Sequence, residues 1–269
     1  MNFLDKYAET KAERKSVLCV GLDPASTYMR EGQHAIAKEY FESESEIDGM
    51  LNFCLGIIED VVESAFAIKV NAQYALPFGL AQHKKLSKAA HGYGLISIFD
   101  LKLSDIGSSN DAAFYWVKQC GYDALTFSPF AGNIASAVTG AHVRELGIFV
   151  LTLMTNPEAV YFMRECSITN KRGYEWIASE INKAGADGAI VGATNTTPEE
   201  LSAIRALVGD DRILLVPGVG AQGGDAEKML RAGGKNILIN VGRDIIYTSS
   251  PKKAAKKYDE EFRRLLGLQ

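Results

Sequence analysis

The chain has 269 residues, 47% of them hydrophobic, and carries 29 basic against 33 acidic side chains for a formal charge of −4. That supplies a core for one large domain, offers no basic excess for nucleic acid, and includes no apolar run near the roughly 18 residues that a membrane span requires. The cysteines Cys19, Cys54, Cys120 and Cys166 are scattered, without a C-x-x-C pair. They read as free thiols of a reducing compartment rather than disulfides or metal ligands. The charged, amphipathic start from Met1 to Glu9 is unlike a signal peptide, so a cytoplasmic enzyme is the expected class.

Apolar runs closed by turn residues predict strands at 17–22, 66–70, 95–101, 123–127, 147–153, 188–192, 213–217 and 236–241. Helical patterns occupy 46–64, 80–91, 110–120, 134–146, 174–184, 198–207, 225–232 and 251–266. Thr197-Pro198-Glu199-Glu200 and Ser249-Ser250-Pro251 carry the cap, first-turn proline and acidic signals of helix starts. Eight alternations of strand and helix in a chain of this length predict an α/β (β/α)8 TIM barrel, with residues 1–269 forming a single barrel domain. The competing architecture, an open doubly wound sheet, needs a dinucleotide fingerprint after the first strand. Val20-Gly21-Leu22-Asp23-Pro24 lacks one. Two long connections, Pro24 to Ser45 and Thr155 to Gly173, leave carboxyl ends of strands, where long loops tend to be functional.

The third strand leads into Asp100-Leu101-Lys102-Leu103-Ser104-Asp105-Ile106-Gly107. Alternation along a strand puts Asp100 and Lys102 on one side at its carboxyl end, the end where a parallel barrel carries its chemistry. A strand-end salt bridge is the structural alternative, but burying two carboxylates and an ammonium brings little net stability, which favours a functional role. Lys69, in the second strand, reads alone as an outward lysine; beside Asp100 it becomes a partner. Asp23, before Pro24, is either a turn cap or a site residue.

After the seventh and eighth strands come Pro217-Gly218-Val219-Gly220-Ala221-Gln222-Gly223-Gly224 and Val241-Gly242-Arg243-Asp244. Glycines let backbone N–H groups converge on an anion, a following helix adds its positive end, and arginine offers a bidentate fork. This is the usual place for a barrel phosphate site. His34, His83, His91 and His142 have no ligand spacing, so no metal is expected.

These segments resemble the orotidine 5′-phosphate decarboxylase family. The match rests on Asp100 to Gly107 for its D-x-K-x-x-D-I signature, supported by Gly21-Leu22-Asp23-Pro24, Lys69, Thr155-Asn156-Pro157, Val191-Gly192-Ala193-Thr194, the 217–224 segment and Gly242-Arg243. The order is the family's from Gly21 to Arg243, and the loop lengths look like its longer branch. Ser109 stands where many relatives have threonine and Thr155 where many have serine. Both keep a hydroxyl.

The resemblance implies decarboxylation of orotidine 5′-phosphate to UMP, the last step of UMP biosynthesis, without a cofactor. It implies Lys69, Asp100, Lys102 and Asp105 as the catalytic charged network, with Asp105 shared across a homodimer. Asp23 and Lys69 would hold the ribose, Thr155 would address the pyrimidine, and Gln222 would fold over a phosphate held by Gly242 and Arg243. Ile106, Ser109 and Pro217 complete the implied substrate contacts. Competing chemistries are a metal-dependent sugar-phosphate enzyme sharing D-x-K-x-x-D and a Schiff-base aldolase on Lys69 or Lys102. A barrel that merely binds nucleotide phosphate is the non-enzymatic alternative, and it gives Asp100 and Lys102 no role.

Overall fold

A computed structural model describes residues 2–30, 34–42, 45–220 and 223–268. Eight parallel strands close into a barrel: β1 (Leu18–Leu22), β2 (Ala67–Asn71), β3 (Ile96–Leu103), β4 (Ala124–Phe127), β5 (Gly147–Leu153), β8 (Gly188–Val191), β9 (Ile213–Pro217) and β10 (Ile237–Val241). Each pairs with its neighbours in chain order, and β10 closes onto β1. The TIM-barrel expectation holds, and every predicted strand is present with ends shifted by at most two residues.

The outer layer consists of α2 (Glu46–Val61), α3 (Leu80–Gly92), α4 (Gly107–Cys120), α5 (Ile134–His142), α6 (Gly173–Ala184), α7 (Pro198–Val208), α8 (Ala226–Ala232) and α10 (Pro251–Leu266). Local chemistry sets their ends. Ser45 accepts the Asp48 N–H at 3.1 Å, Thr197 and Glu200 form a reciprocal capping box, and Gly121 and Gly185 terminate α4 and α6 in the left-handed conformation.

Two cores follow from the strand alternation. Outward residues such as Val20, Ile68, Leu125 and Val216 pack against the helices. Inward residues Cys19, Ala67, Ile96, Ile98, Ala124, Phe149, Ile213 and Leu238 fill the barrel itself. Its amino-terminal mouth is stopped by α1 (Phe3–Arg14), a helix that the sequence reading did not assign. Phe3 meets Phe149 edge-on with ring centroids 5.7 Å apart, and Tyr7 lies 5.1 Å from Phe66. The 155–173 connection is ordered by a π-helical turn at Val160–Glu165 and by the hairpin of β6 (Ser167–Ile168) and β7 (Lys171–Arg172). Arg164 ties it down, donating to Glu200 at 2.6 Å and to the Asn195 carbonyl at 2.8 Å. The 24–45 connection lies partly outside the described residues.

Candidate active site

The inward register that fills the lower barrel with apolar side chains turns polar at the carboxyl ends. Ala67 is followed on its face by Lys69 and Asn71, Ile96 and Ile98 by Asp100, Ala124 by Thr126, and Leu238 by Asn240. These groups line a cavity of about 220 Å³ together with Asp23, Lys102, Thr155, Pro217, Gly242 and Arg243. The floor is the apolar plug of Leu151, Ile190 and Leu215.

Asp100 is the centre of the charged network. Its Oδ2 accepts the Lys69 ammonium at 2.6 Å, and its Oδ1 accepts both Lys102 Nζ at 2.8 Å and the Thr126 hydroxyl at 3.0 Å. Burial by itself would raise the Asp100 carboxyl, but Lys69 and then Lys102 outweigh it and hold the group well below the usual carboxylate range. Burial likewise opposes the charge on Lys69, yet Asp100 and, more weakly, Asp23 hold its ammonium above the ordinary lysine value. Both side chains therefore stay ionised through neutral pH. The Lys102 side chain is one-third exposed toward the cavity, whereas that of Lys69 is only 7% exposed. Of these two lysines, Lys102 is thus the more open to a ligand, although both line the cavity.

The sequence reading placed Asp100 and Lys102 together through simple strand alternation, and the local backbone is different. Lys102 has φ +53°, in the left-handed region that a residue with a Cβ occupies at a cost of about 1–2 kcal/mol. Here the β3–β4 ladder is irregular: Phe99 pairs with Leu125 and Leu103 with Phe127, leaving residues 100 to 102 opposite residue 126 alone. The bulge re-aims the lysine, and the two charges still meet.

The opposite wall is built by the glycine-rich turns. Gly218 and Gly220 have φ of +95° and +83°, and a Cβ on Gly220 would lie 2.6 Å from Asp244 Oδ2, so only glycine fits there. Gly242 caps α9 (Arg243–Ile246), a single turn whose first residue carries the guanidinium. Among the described residues the Arg243 side chain has no hydrogen-bond or ion-pair partner, and it faces the cavity. Tyr247, just beyond, donates to the Asp23 carbonyl at 2.6 Å and accepts the Ala25 N–H at 2.7 Å, clamping the loop that follows β1 onto this wall. Asp23 Oδ1 is buried without a hydrogen-bond partner among the described residues. Thr155 packs against Gly192, where a Cβ would fall 2.2 Å from the Thr155 methyl.

Of the residues that the sequence singled out, Asp23, Lys69, Asp100, Lys102, Thr155, Pro217, Gly242 and Arg243 converge on this cavity. Asp105, Ile106 and Ser109 do not line it and are exposed. Their loop is nevertheless fixed: Asn110 and Asn133 both donate to the Asp105 carbonyl, at 2.6 and 2.9 Å, while Asp105 Oδ1 accepts the Ile106 N–H at 2.8 Å. Gln222 lies outside the described residues. Asn71, Thr126 and Asn240 were missed by the sequence reading. Counting the inward register of every strand to its carboxyl end, rather than looking for charges alone, would have found all three.

A profile of the orotidine 5′-phosphate decarboxylase / HUMPS family matches residues 16–258. The orotidine 5′-phosphate decarboxylase of Leptospira interrogans is 31% identical, over 98% of this chain and 94% of its own. That of Variovorax paradoxus is 34% identical over 93% and 91%. The solved Leishmania donovani OMP decarboxylase superposes with a TM-score of 0.81 at 27% identity, covering 99% of both chains. In profile, in full-length relatives and in fold, the chain belongs to the orotidine 5′-phosphate decarboxylase / HUMPS family.

Proposed function

We infer that this chain decarboxylates orotidine 5′-phosphate to UMP and carbon dioxide, with Lys102 as the proton donor. The observation that carries the reading is the pairing of Asp100, clasped between two ammonium groups, with the Arg243 guanidinium, which has no partner among the described residues, on the other side of the same cavity. The charged cluster suits a carboxylate that has to leave, and the guanidinium suits a phosphate.

Breaking the bond between C6 and the carboxylate leaves the electron pair on a ring carbon as carbon dioxide departs. An ammonium held beside that carbon stabilises the developing charge and then passes a proton from Nζ to C6. Lys102 is the accessible ammonium, and Asp100 fixes its position. A substrate carboxylate at roughly 3 to 4 Å from Asp100 would be repelled by about 4 to 6 kcal/mol at an effective dielectric of about 20. The two lysines offset much of this, so ground-state stress contributes a few decades of rate at most. Binding energy from the phosphate, remote from the breaking bond, drives closure and expulsion of water.

In this reading Arg243 and Gly242 take the phosphate, with Gln222, outside the described residues, as a further phosphate-binding residue. Asp23 and Lys69 take the ribose hydroxyls, while Thr155 and Pro217 border the pyrimidine. Asp105, Ile106 and Ser109 serve the site of a second copy in a homodimer. Consistent with that assignment, Ile106 on the pinned loop and Trp116 on α4 are 62% and 55% exposed. A sedimentation mass of one chain would refute the shared arrangement. No helix among the described residues is long and apolar enough to cross a membrane, and a cytoplasmic location is proposed.

The test is loss of orotate absorbance on mixing the protein with orotidine 5′-phosphate, without added metal and with EDTA present. Turnover undiminished by EDTA is expected. No turnover, or turnover that disappears with the chelator and returns with a divalent cation, overturns the reading in favour of metal-dependent chemistry on the same barrel.

A further inference from the structure

We propose that Thr126 is a positioning residue for this reaction, acting through the bulge that aims Lys102; the proposal rests on the reading of Lys102 as proton donor. Thr126 is the only residue of β4 facing residues 100 to 102 where the β3–β4 ladder loses register, and it is fully buried. Its hydroxyl accepts the Lys102 backbone N–H at 2.8 Å and donates to Asp100 Oδ1 at 3.0 Å.

A hydroxyl has one proton to give and lone pairs to receive with, so this one atom joins the two halves of the charged pair. On the backbone side it replaces the strand acceptor that the bulge removes and holds Lys102 at φ +53°. On the side-chain side it fixes the carboxylate oxygen that also receives Lys102 Nζ at 2.8 Å. The stem and the tip of the lysine are thereby anchored to the same point. The side chain is β-branched and fully buried, which leaves that point little freedom.

Thr126→Val keeps the shape and removes the hydroxyl, while Thr126→Ser keeps the hydroxyl and removes a methyl group. Losing a hydrogen bond to a charged group, or displacing a reacting atom by about 1 Å, lowers turnover by about 10- to 100-fold. We expect that loss in kcat for Thr126→Val, with KM for orotidine 5′-phosphate and the affinity for UMP within about threefold of wild type. Thr126→Ser should stay within about threefold in kcat. Thr126→Ala reads the same split if the valine variant fails to fold.

Unchanged kcat in the valine variant overturns the proposal. So does a serine variant as slow as the valine one, which marks a packing role, or a change confined to KM and UMP affinity, which marks a substrate contact. In all three cases the wild type remains active and the decarboxylase reading stands. A wild type without turnover removes both.

Discussion

Both ends of the barrel bury aspartate carboxylates beside lysines, Asp123 beside Lys6 and Asp100 beside Lys69 and Lys102, yet these carboxylates do different things. Asp123, at the amino-terminal end, accepts the Ser97 N–H at 2.8 Å, the Ser97 hydroxyl at 3.0 Å, His91 Nε2 at 2.9 Å and the Lys6 ammonium. It joins α1, α3, β3 and β4. Asp187 repeats the device before β8, accepting the Ile148 N–H and His142 Nε2, both at 2.9 Å. Asp100, at the carboxyl-terminal end, accepts from two lysines and a threonine hydroxyl, and among the described residues no backbone N–H reaches its side chain. A carboxylate bonded to backbone N–H groups is committed to the scaffold. One whose donors are all side chains organises charge without holding strands together, and it is this kind that chemistry can use.

That contrast is broken or sharpened by variants at the two ends. The largest effect is expected for Lys102→Ala. Turnover should fall by roughly 10⁴-fold or more, because both charge stabilisation and the proton are lost, while UMP still binds and the melting temperature holds. Steady-state kinetics and UMP titration check it, and ordinary turnover in this variant refutes the proton-donor role. Next comes Arg243→Ala, expected to weaken UMP binding by about 100-fold, equivalent to about 3 kcal/mol, with folding stability unchanged.

Asp123→Asn should give the opposite signature: kcat within a few-fold of wild type, but unfolding free energy lower by about 2–3 kcal/mol in urea titration. If turnover fell and stability did not, the division between the two ends would be wrong. The smallest effect concerns pH. The hydrogen bond to Asp187 raises the His142 pKa above its ordinary value of 6.5 despite partial burial. The protonated form is therefore favoured by folding, so its stabilisation is complete below that value and disappears as pH rises through the raised one. Since the imidazole is 42% exposed, screening keeps the gain below about 1 kcal/mol. The difference in melting temperature between wild type and His142→Gln should be greatest on the acid side and vanish on the alkaline side. A constant difference would mean that the pair is not titrating.

Much of this was legible in the residues alone. Eight short apolar runs separated by helical periods announce the barrel, since both periodicities are local properties of the chain. Strand ends proved readable to within two residues because Gly, Pro and Asp punctuate them. The rim residues could be picked out too, Asp100 and Lys102 by the cost of placing charge at the end of a buried strand and Gly242-Arg243 as a glycine turn bearing a planar cation, and the structure brings all four to one cavity.

What lay beyond reach depended on partners distant in sequence. The helix α1 has a weak apolar stripe, and its role appears only when Phe3 and Tyr7 meet Phe149 and Phe66 inside a closed barrel. The 155–173 connection becomes ordered through Arg164, whose anchor Glu200 lies 36 residues away. Thr126 is an unremarkable β-branched strand residue until β4 is set beside the bulge in β3. By itself, then, the sequence determined the architecture and the identity of the charged groups, because periodicity and side-chain chemistry are written residue by residue. Only the tertiary structure decided how Lys102 is aimed and which aspartate is available for chemistry, because those depend on strand register and on which donors the closed barrel brings to each carboxylate.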